Sequence, residues 1–216
     1  MAVNLKQTER PEFWNERFSD SGYAYGVHAN DFLRMICHQP ATGDVLSLCE
    51  GEGRNAVYLA KLGFRVTAVD FSAVGLQKAR DLAAREGVSI TTIVADLSDF
   101  DLGVNCWDMV ISVFAQPPGA IRQNIYRQLQ YALRPGGSFI LESKVVVDAT
   151  AAERYPGAQV LVREIAPLSV TTAREQERQL NEGSYHKGMQ RTVQILAIKS
   201  TEYSAHHSPN IPETKT

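Results

Sequence analysis

Short apolar runs alternate with segments of helical periodicity from Gly43 onward, and this alternation restricts the fold more than any other feature of the sequence. Short apolar runs bounded by turn residues predict buried strands, whereas apolar residues that recur every three or four positions predict amphipathic helices. Strands and helices in regular alternation are typical of βαβ units, whose parallel strands share one sheet. The sequence therefore predicts an α/β fold.

The predicted elements are bounded by glycine, proline and capping residues. Strands are predicted at 45–49, 65–70, 90–95, 107–114, from 138 to 142 or beyond, and at 193–198; helices are predicted at 54–62, from a Ser72 cap to Gly87, and over 121–133. Residues 144–167 have poor periodicity and are predicted to be loop with one short helix near 160–165. Residues 171–180 are polar, and propensity alone slightly favours a helix there.

Length and composition fit one soluble domain. The chain has 216 residues, of which 44% are hydrophobic and 21% charged, which is close to the globular average. We expect a single domain over 1–203 and a disordered tail over 204–216. Lysine and arginine (22) nearly balance aspartate and glutamate (24), so the chain lacks the positive excess that binding to duplex nucleic acid requires.

The cysteines indicate neither a disulfide framework nor a zinc site. Cys37, Cys49 and Cys106 are odd in number, far apart and free of any C-x-x-C pair. The N-terminus is polar, and no uncharged apolar run approaches the roughly 18 residues of a membrane span. We therefore expect a cytoplasmic protein with no metal and no membrane partner.

A glycine-rich turn follows the first predicted strand. In an open parallel sheet, ligands bind outside the carboxyl ends of the strands, and Gly51 and Gly53 let a ligand approach the backbone there. Asp70 ends the next strand, 17 residues after Gly53, which suits a carboxylate that binds a ribose diol. The alternative is a local capping role beside Ser72. The combined pattern favours the ribose role.

Four segments resemble the ordered motifs of class I S-adenosylmethionine-dependent methyltransferases: V-L-S-L-C-E-G-E-G-R-N, V-T-A-V-D-F-S, V-A-D-L and L-R-P-G-G-S-F-I-L-E. The likeness covers residues 12–199. F-W-N-E-R-F, Y-A-Y-G and N-D-F-L before the first strand, and N-E-G-S-Y-H-K-G before the last, resemble more narrowly the tellurite-resistance-type small-molecule methyltransferases.

The resemblance implies a Rossmann-like, seven-stranded, mostly parallel sheet with helices on both faces and an antiparallel last strand. It makes residues 171–180 the sixth strand and residues 1–42 a lid over the pocket. The implied cofactor is S-adenosyl-L-methionine, with S-adenosyl-L-homocysteine as product.

The resemblance also implies roles for individual residues on the cofactor side. The residues that it places around the methionine moiety are Glu50, Gly51, Gly53 and Asn55. Asp70, followed by Phe71 and Ser72, is implied to bind the ribose. Phe71 and Leu97 would cover the adenine faces, Asp96 would bind the adenine amino group, and Phe114 would line the methyl-donor pocket.

Two residues depart from the usual family motif. Ser47 stands where the family generally has a carboxylate, and Cys49 where it generally has glycine. We hypothesise that Glu50 supplies the missing negative charge opposite the ammonium or sulfonium of the donor. Cys49 is interpreted as a small apolar strand-end residue rather than a reactive thiol.

The substrate side is predicted from an aromatic segment and a late turn. Tyr23 and Tyr25 are expected in the pocket, whereas Trp14 and Phe32 are expected to anchor the N-terminal segment. Parallel orientation of the sixth strand would bring the turn 182–188 to the catalytic edge, with Tyr185 near the substrate and His186 near the acceptor. A histidine there could deprotonate a thiol or hold an oxyanion, although a lone loop histidine is more often solvated.

Gln116 is the remaining candidate substrate residue. Gln116-Pro117-Pro118-Gly119 departs from the Asn/Asp-Pro-Pro-aromatic motif of amino-methylating nucleic-acid enzymes at its first residue, and Gly119 replaces the stacking aromatic. Base methylation is therefore not expected. The two prolines are interpreted as the start of a helix.

The sequence thus predicts a methyltransferase that acts on a small thiol, metalloid oxyanion or similar nucleophile, with Tyr25 and His186 on the substrate side. A nicotinamide-dependent oxidoreductase is one alternative, since Gly51, Gly53 and Ala56 approximate the G-x-G-x-x-G spacing. A degenerate donor-binding module is another, motivated by Ser47 and Cys49. The expected partner is a small molecule, and the expected state is a monomer or weak homodimer.

Overall fold

A computed structural model describes residues 7–146 and 151–201. The predicted tail at 204–216 lies outside these residues. Seven strands form one sheet in the order β3-β2-β1-β4-β5-β7-β6. The strands are β1 (Asp44–Leu48), β2 (Arg65–Asp70), β3 (Thr91–Val94), β4 (Trp107–Val113), β5 (Leu133–Lys144), β6 (Ser169–Glu182) and β7 (His186–Ile198).

Helices cover both faces of the sheet. They are α1 (Pro11–Arg17), α2 (Asp31–Ile36), α3 (Arg54–Lys61), α4 (Ala73–Arg85), α5 (Gly119–Ala132) and α6 (Ala158–Glu164), preceded by a 3₁₀ turn at Gln7–Glu9. None of the helices in the described ranges is both long and apolar enough to cross a membrane.

Buried apolar side chains divide into two main cores, one on each face. Leu33, Leu59 and Leu76 from α2, α3 and α4 pack on one face, and Ile125 and Leu129 from α5 pack on the other. The central strands between them are mostly apolar because both of their faces are covered. The predicted seven-stranded fold with helices on both faces is confirmed.

The two last strands are antiparallel to each other and close the sheet. β7 pairs antiparallel with both β5 and β6, so β6 runs in the same direction as β5. Residues 171–180 are therefore strand, as the resemblance implied, because the long pairing with β7 overrides their helical propensity. This direction brings the β6–β7 turn to the edge where β1, β2 and β4 also end.

Several boundaries differ from those predicted, three of them in the second half of the chain. β7 begins at His186 rather than near 193, because residues 186–191 pair only with the edge strand β6 and lack the apolar pattern of the central part. β5 begins at Leu133, directly after α5, and includes Pro135, Gly136 and Gly137, whereas the strand was predicted to begin at 138. The short helix of the irregular segment spans Ala158–Glu164 instead of 160–165.

Candidate functional site

A cavity of about 310 Å³ opens at the carboxyl ends of the parallel strands. This volume lies at the lower end of the range of about 300–1,000 Å³ for small-molecule sites. Its wall contains residues that follow β1, β2, β3 and β4, joined by the N-terminal segment and by the β6–β7 turn. The position agrees with the general rule for ligand sites in open α/β sheets.

The glycine turn after β1 shapes the floor of the cavity. Gly51 lines the cavity with a φ of +66°, and Gly53 has a φ of +94°. A Cβ atom on Gly53 would lie 2.6 Å from the Cα of Ala79, so this glycine allows α3 to start against α4. Gly53, which was predicted to bind cofactor, is therefore a close-packing residue behind the cavity wall.

Glu50 closes the first turn of α3. The helix has Gly53 as its N-cap, which offers no side chain, and Glu50 Oε1 instead accepts hydrogen bonds from the amides of Asn55 (3.1 Å) and Ala56 (3.0 Å). Ser47 Oγ donates to the other carboxylate oxygen. Burial raises the pKa of Glu50, although these hydrogen bonds oppose the shift. Glu50 and Asn55 both line the cavity.

Asp70 ends β2 with its carboxylate turned towards backbone amides. Its Oδ2 accepts from Gly51 N at 2.9 Å and its Oδ1 from Ser72 N at 2.8 Å. Burial raises the pKa of this carboxyl from 3.8 to about 6. Each oxygen keeps a lone pair for a further donor. Ser72 is fully buried, caps α4 through Gly75 N and contributes nothing to the cavity wall.

The residues predicted for the adenine subsite come together at one end of the cavity. Phe71, Asp96 and Leu97 all line it. Asp96 Oδ1 accepts a hydrogen bond from Ser98 N at 2.8 Å, which fixes the turn after β3. Their roles with a ligand stay predictions.

His186 lies between two aromatic rings at the other end. Its ring centroid is 4.5 Å from that of Tyr25 and 4.4 Å from that of Phe114, and all three residues line the cavity. Burial lowers the pKa of His186, and the positive charges of Lys144 and Arg54 act in the same direction. The imidazole is therefore neutral at physiological pH.

Tyr23 and Tyr185 do not reach the cavity, contrary to their predicted position. The Tyr23 hydroxyl donates to the carbonyl of Lys78 at 3.3 Å, so its ring packs against α4. Tyr185 is 47% exposed, and the Arg17 guanidinium lies 3.8 Å from its ring centroid. Gln116 does line the cavity, and its buried Nε2 lacks a hydrogen-bond partner among the described residues.

Two charged side chains of the glycine turn belong to the site although the sequence analysis did not predict them. Glu52 accepts a hydrogen bond from Ala24 N at 2.7 Å and forms an ion pair with Lys78 at 2.5 Å. Arg54 forms a nearly buried ion pair with Glu182 at 2.8 Å. The signal that could have identified them is the presence of two charges, Glu52 and Arg54, inside a glycine turn at a buried strand end.

The N-terminal segment forms one wall of the cavity through Trp14, Phe18 and Tyr25. Trp14 was expected only as an anchor; it lines the cavity and also packs within 5.7 Å of the Phe18 ring. Phe32 is 2% exposed in the core, as expected of an anchor. Movement of this wall as a lid stays a prediction.

Cys49 occupies the position where glycine is usual in the resembling motif, and its backbone explains that preference. Its φ is +51°, in the left-handed region that favours glycine. Burial raises the pKa of its thiol, so it lacks the thiolate character of a reactive cysteine. Within the described ranges, no group of three or more His, Cys, Asp or Glu residues could hold a metal ion.

Comparison with known proteins bears on the same region. A family model described as a methyltransferase domain matches residues 45–137. The 2-heptyl-1-hydroxyquinolin-4(1H)-one methyltransferase of Mycobacteroides abscessus is 28% identical over 122 residues, which cover 55% of this chain and 54% of that protein. The chain thus spans about half the length of the curated relative it matches.

Solved structures share the fold at low sequence identity. One, from work on the conversion of a disulfide bond into a thioacetal group during echinomycin biosynthesis, superimposes with a TM-score of 0.70 at 17% identity and covers 95% of this chain and 99% of its own. TehB from Haemophilus influenzae superimposes with a TM-score of 0.66 at 17% identity, over 88% of this chain and 67% of its own.

Proposed function

We propose that the chain is a class I S-adenosylmethionine-dependent methyltransferase, which transfers a methyl group to a small-molecule nucleophile by in-line displacement. The product of the donor is S-adenosylhomocysteine. The observation that carries the proposal is the placement of the buried Asp70 carboxylate beside the Gly51 backbone, at one end of a cavity whose other end is aromatic.

The residues of the cavity fit S-adenosylmethionine. Asp70 retains lone pairs for the ribose hydroxyls, and Gly51 presents backbone without a Cβ atom. Phe71 and Leu97 offer apolar surfaces for adenine, and Asp96 offers a carboxylate for its amino group. The carboxylate of Glu50 adds negative charge near the methionine end. These are the chemical groups that a nucleoside with a cationic amino-acid tail requires.

When bound, S-adenosylmethionine supplies a methyl group on a sulfonium, which an acceptor attacks in line. The protein's own task is to align the two molecules and exclude water. Tyr25, Phe114 and Trp14 surround the acceptor end with aromatic faces that favour a cationic sulfonium over bulk water. His186 stands among them as the titratable group of the acceptor end.

The acceptor is proposed to be a thiol, a metalloid oxyanion or a similarly compact nucleophile. The matched relative is named for an N-hydroxyquinolone, so an N-hydroxyl group on a heterocycle belongs in the same set. Support comes from the modest volume of the cavity and from its aromatic acceptor end. Gln116, with an unpaired buried amide nitrogen, is the proposed polar contact for the acceptor.

The test begins with calorimetric titration of S-adenosylmethionine, S-adenosylhomocysteine and NADH. We expect the two sulfur nucleosides to bind and NADH not to bind. Methyl transfer is then followed by mass spectrometry with an acceptor panel of thiols, N-hydroxy heterocycles and selenite. Binding of NADH alone would favour an oxidoreductase, and donor binding without transfer to any acceptor would favour a binding module.

A matched pair of variants separates cofactor binding from folding. Asp70→Asn removes the charge at the proposed ribose site, and Asp44→Asn removes a carboxylate from the opposite end of the neighbouring strand β1. We expect only the first to weaken S-adenosylhomocysteine binding. Equal affinities of the two variants would contradict the proposal.

A further inference from the structure

Glu182 and His186 face each other across the turn between β6 and β7. Glu182 Oε2 and His186 Nδ1 are 3.6 Å apart, slightly longer than a hydrogen bond. Both atoms are buried; Nδ1 has no hydrogen-bond partner in the described part of the chain, and Oε2 is engaged only in an ion pair with Arg54. A proton on Nδ1 is favoured there, because it would give this unpaired buried nitrogen a carboxylate acceptor, and an unpaired buried group is costly. A shift of about half an ångström brings them to hydrogen-bond distance.

Glu182 is fixed in place by side chains from its own strand and from two other elements. Arg54 of α3 forms an ion pair with its Oε2 at 2.8 Å, and Arg178 of β6 donates to its Oε1 at 2.8 Å. Asn30, the N-cap of α2, donates to the same Oε1 at 3.2 Å. Burial raises the pKa of Glu182, but His186, Arg54 and Arg178 together lower it strongly, so the carboxylate is ionised. It can therefore only accept hydrogen bonds.

The second ring nitrogen of His186, Nε2, is available to a ligand in the cavity. Nε2 makes no hydrogen bond with any described residue and, unlike Nδ1, is not among the buried unpartnered atoms. A tilted contact with Tyr25 and an edge-on contact with Phe114 restrain the orientation of the ring. In a neutral imidazole the proton on one nitrogen leaves a lone pair on the other.

Four charged or titratable groups surround His186. Lys144 of β5 and Arg54 of α3 disfavour a positive charge on the ring, whereas Glu182 favours it. Tyr25 lies against one ring face, and burial raises the pKa of its hydroxyl, so it is neutral. Glu182 is thus the only one of these four groups that stabilises an imidazolium.

We propose that Glu182 is a positioning residue that holds the proton of His186 on Nδ1, so that Nε2 acts as the general base that deprotonates the acceptor. This inference rests on the proposed methyltransferase function. It decides between two roles for His186, since a lone pair on Nε2 accepts a proton and cannot donate a hydrogen bond to an oxyanion. The acceptor class is therefore a protonated nucleophile, a thiol or hydroxyl, rather than a metalloid oxyanion.

The proposed step conserves atoms and charge. The acceptor S–H or O–H bond breaks, and its proton passes to His186 Nε2. The freed lone pair forms the bond to the methyl carbon, whose bond to the donor sulfur breaks with its electron pair kept on that sulfur. The imidazolium formed lies against the Glu182 carboxylate, and release of its proton to water restores the neutral ring.

The first test is a measurement on the wild-type protein without cofactor. Two-dimensional ¹H–¹⁵N NMR of the histidine side chains, assigned with His186→Gln, distinguishes the two neutral tautomers. We expect His186 to carry its proton on Nδ1 at neutral pH. A proton on Nε2 would overturn the proposal, whatever the activity of the protein.

The second test compares Glu182→Gln with Glu142→Gln. Glu142 is a fully buried carboxylate that shares Arg178 and Asn30 with Glu182 but does not contact His186. With benzyl mercaptan, a thiol that is protonated at neutral pH, we expect Glu182→Gln to lower kcat about tenfold to hundredfold, part of the contribution of about 10²–10⁴ from a general base. The acidic limb of the kcat/KM profile should move to lower pH, because the group that raises the pKa of His186 is lost.

Glu142→Gln is expected to leave both the tautomer and the acidic limb in place. The same displacement in both variants would show a general charge effect and overturn the positioning role, as would an unmoved limb in Glu182→Gln. A wild-type protein that binds donor but methylates nothing would refute the proposed function alone, since the NMR result still decides the tautomer.

Discussion

Ser47 donates its hydroxyl hydrogen to the carboxylate of Glu50, three residues further along the chain. Ser47 stands where related motifs have an acidic residue, and Glu50 places a carboxylate beside that position. The same carboxylate binds two amides in the first turn of α3, whose own N-cap is a glycine. One side chain therefore combines a structural and an electrostatic task.

Glu50→Ala is expected to destabilise the protein by about 1–2 kcal/mol, because the amides of Asn55 and Ala56 lose their acceptor. Glu50→Gln keeps an acceptor oxygen and should cost less than half of that. Chemical denaturation of the three proteins measures the difference. Calorimetry of Glu50→Gln with S-adenosylmethionine tests the charge separately; unchanged affinity would remove the proposed role opposite the donor cation.

Asp70 is expected to make donor binding and stability respond to pH in opposite directions. Its pKa rises from 3.8 to about 6 on folding, so its contribution to stability is complete below the unfolded pKa and is lost as the pH rises through about 6. Relative to Asp70→Asn, the wild type should lose about 3 kcal/mol between about pH 4 and pH 7, from about 1.4 kcal/mol per pKa unit. Thermal unfolding across this range is the measurement.

Affinity for S-adenosylhomocysteine should instead fall below about pH 6 in the wild type, because a protonated Asp70 is a poorer acceptor for ribose hydroxyls. The Asp70→Asn protein should bind more weakly and without this pH dependence. A wild-type affinity that is flat between about pH 5 and pH 8 would contradict the ribose role.

Gly183→Ala is expected to disturb the acceptor end of the cavity. The glycine has a φ of +71°, and a Cβ atom there would collide with the backbone of Tyr25 and Gly26. Gly188 provides the matched control, because it has a φ of +90° and a Cβ atom added there would meet no other atom within 4 Å. Both alanines cost about 1 kcal/mol of backbone strain, but only Gly183→Ala should lower kcat. Equal kcat values in the two variants would argue against contact between the turn and the segment around Tyr25.

Arg122 and Glu164 form a nearly buried two-bond ion pair between α5 and α6, with distances of 2.7 and 2.9 Å. Arg122→Met is expected to cost about 3–5 kcal/mol, because Glu164 would keep a buried charge without its partner. The double variant Arg122→Met/Glu164→Leu should recover most of this loss. A double-mutant cycle by urea denaturation provides the check, and additive losses would show that the two side chains act independently.

The central part of the fold could be predicted from the sequence because local signals agree there. The strand at 65–70 was predicted with its observed bounds, and the helix after Ser72 has its predicted cap. The stretch at 171–180 could not be assigned from propensity, because its strand state depends on pairing with β7, which follows it in the chain. Only the family resemblance supplied that information.

The site was predictable where it depends on strand ends and less so where it depends on side-chain direction. Asp70 and Asp96 reach the cavity because the ends of parallel strands share one edge, and His186 reaches it because the antiparallel strand β7 begins at that edge. Tyr25 lines the cavity and Tyr23 does not, although both were predicted there and they are only two residues apart. Tyr23 packs on α4, whereas Tyr25 packs on His186. A role for Glu182 was not predicted from the sequence because its partners Asn30 and Arg54 come from remote parts of the chain.

Contacts between the first and last parts of the chain have a consequence for biosynthesis. Asn30 is translated 152 residues before its partner Glu182, a delay of about 8–30 s at about 5–20 residues per second. The carbonyl of Ala24 likewise lacks its hydrogen-bond donor until the amide of Ser184 has been synthesised. A nascent chain therefore acquires the ends of β1 and β2 well before it acquires His186, and the cavity is complete only when the β6–β7 hairpin has emerged from the ribosome.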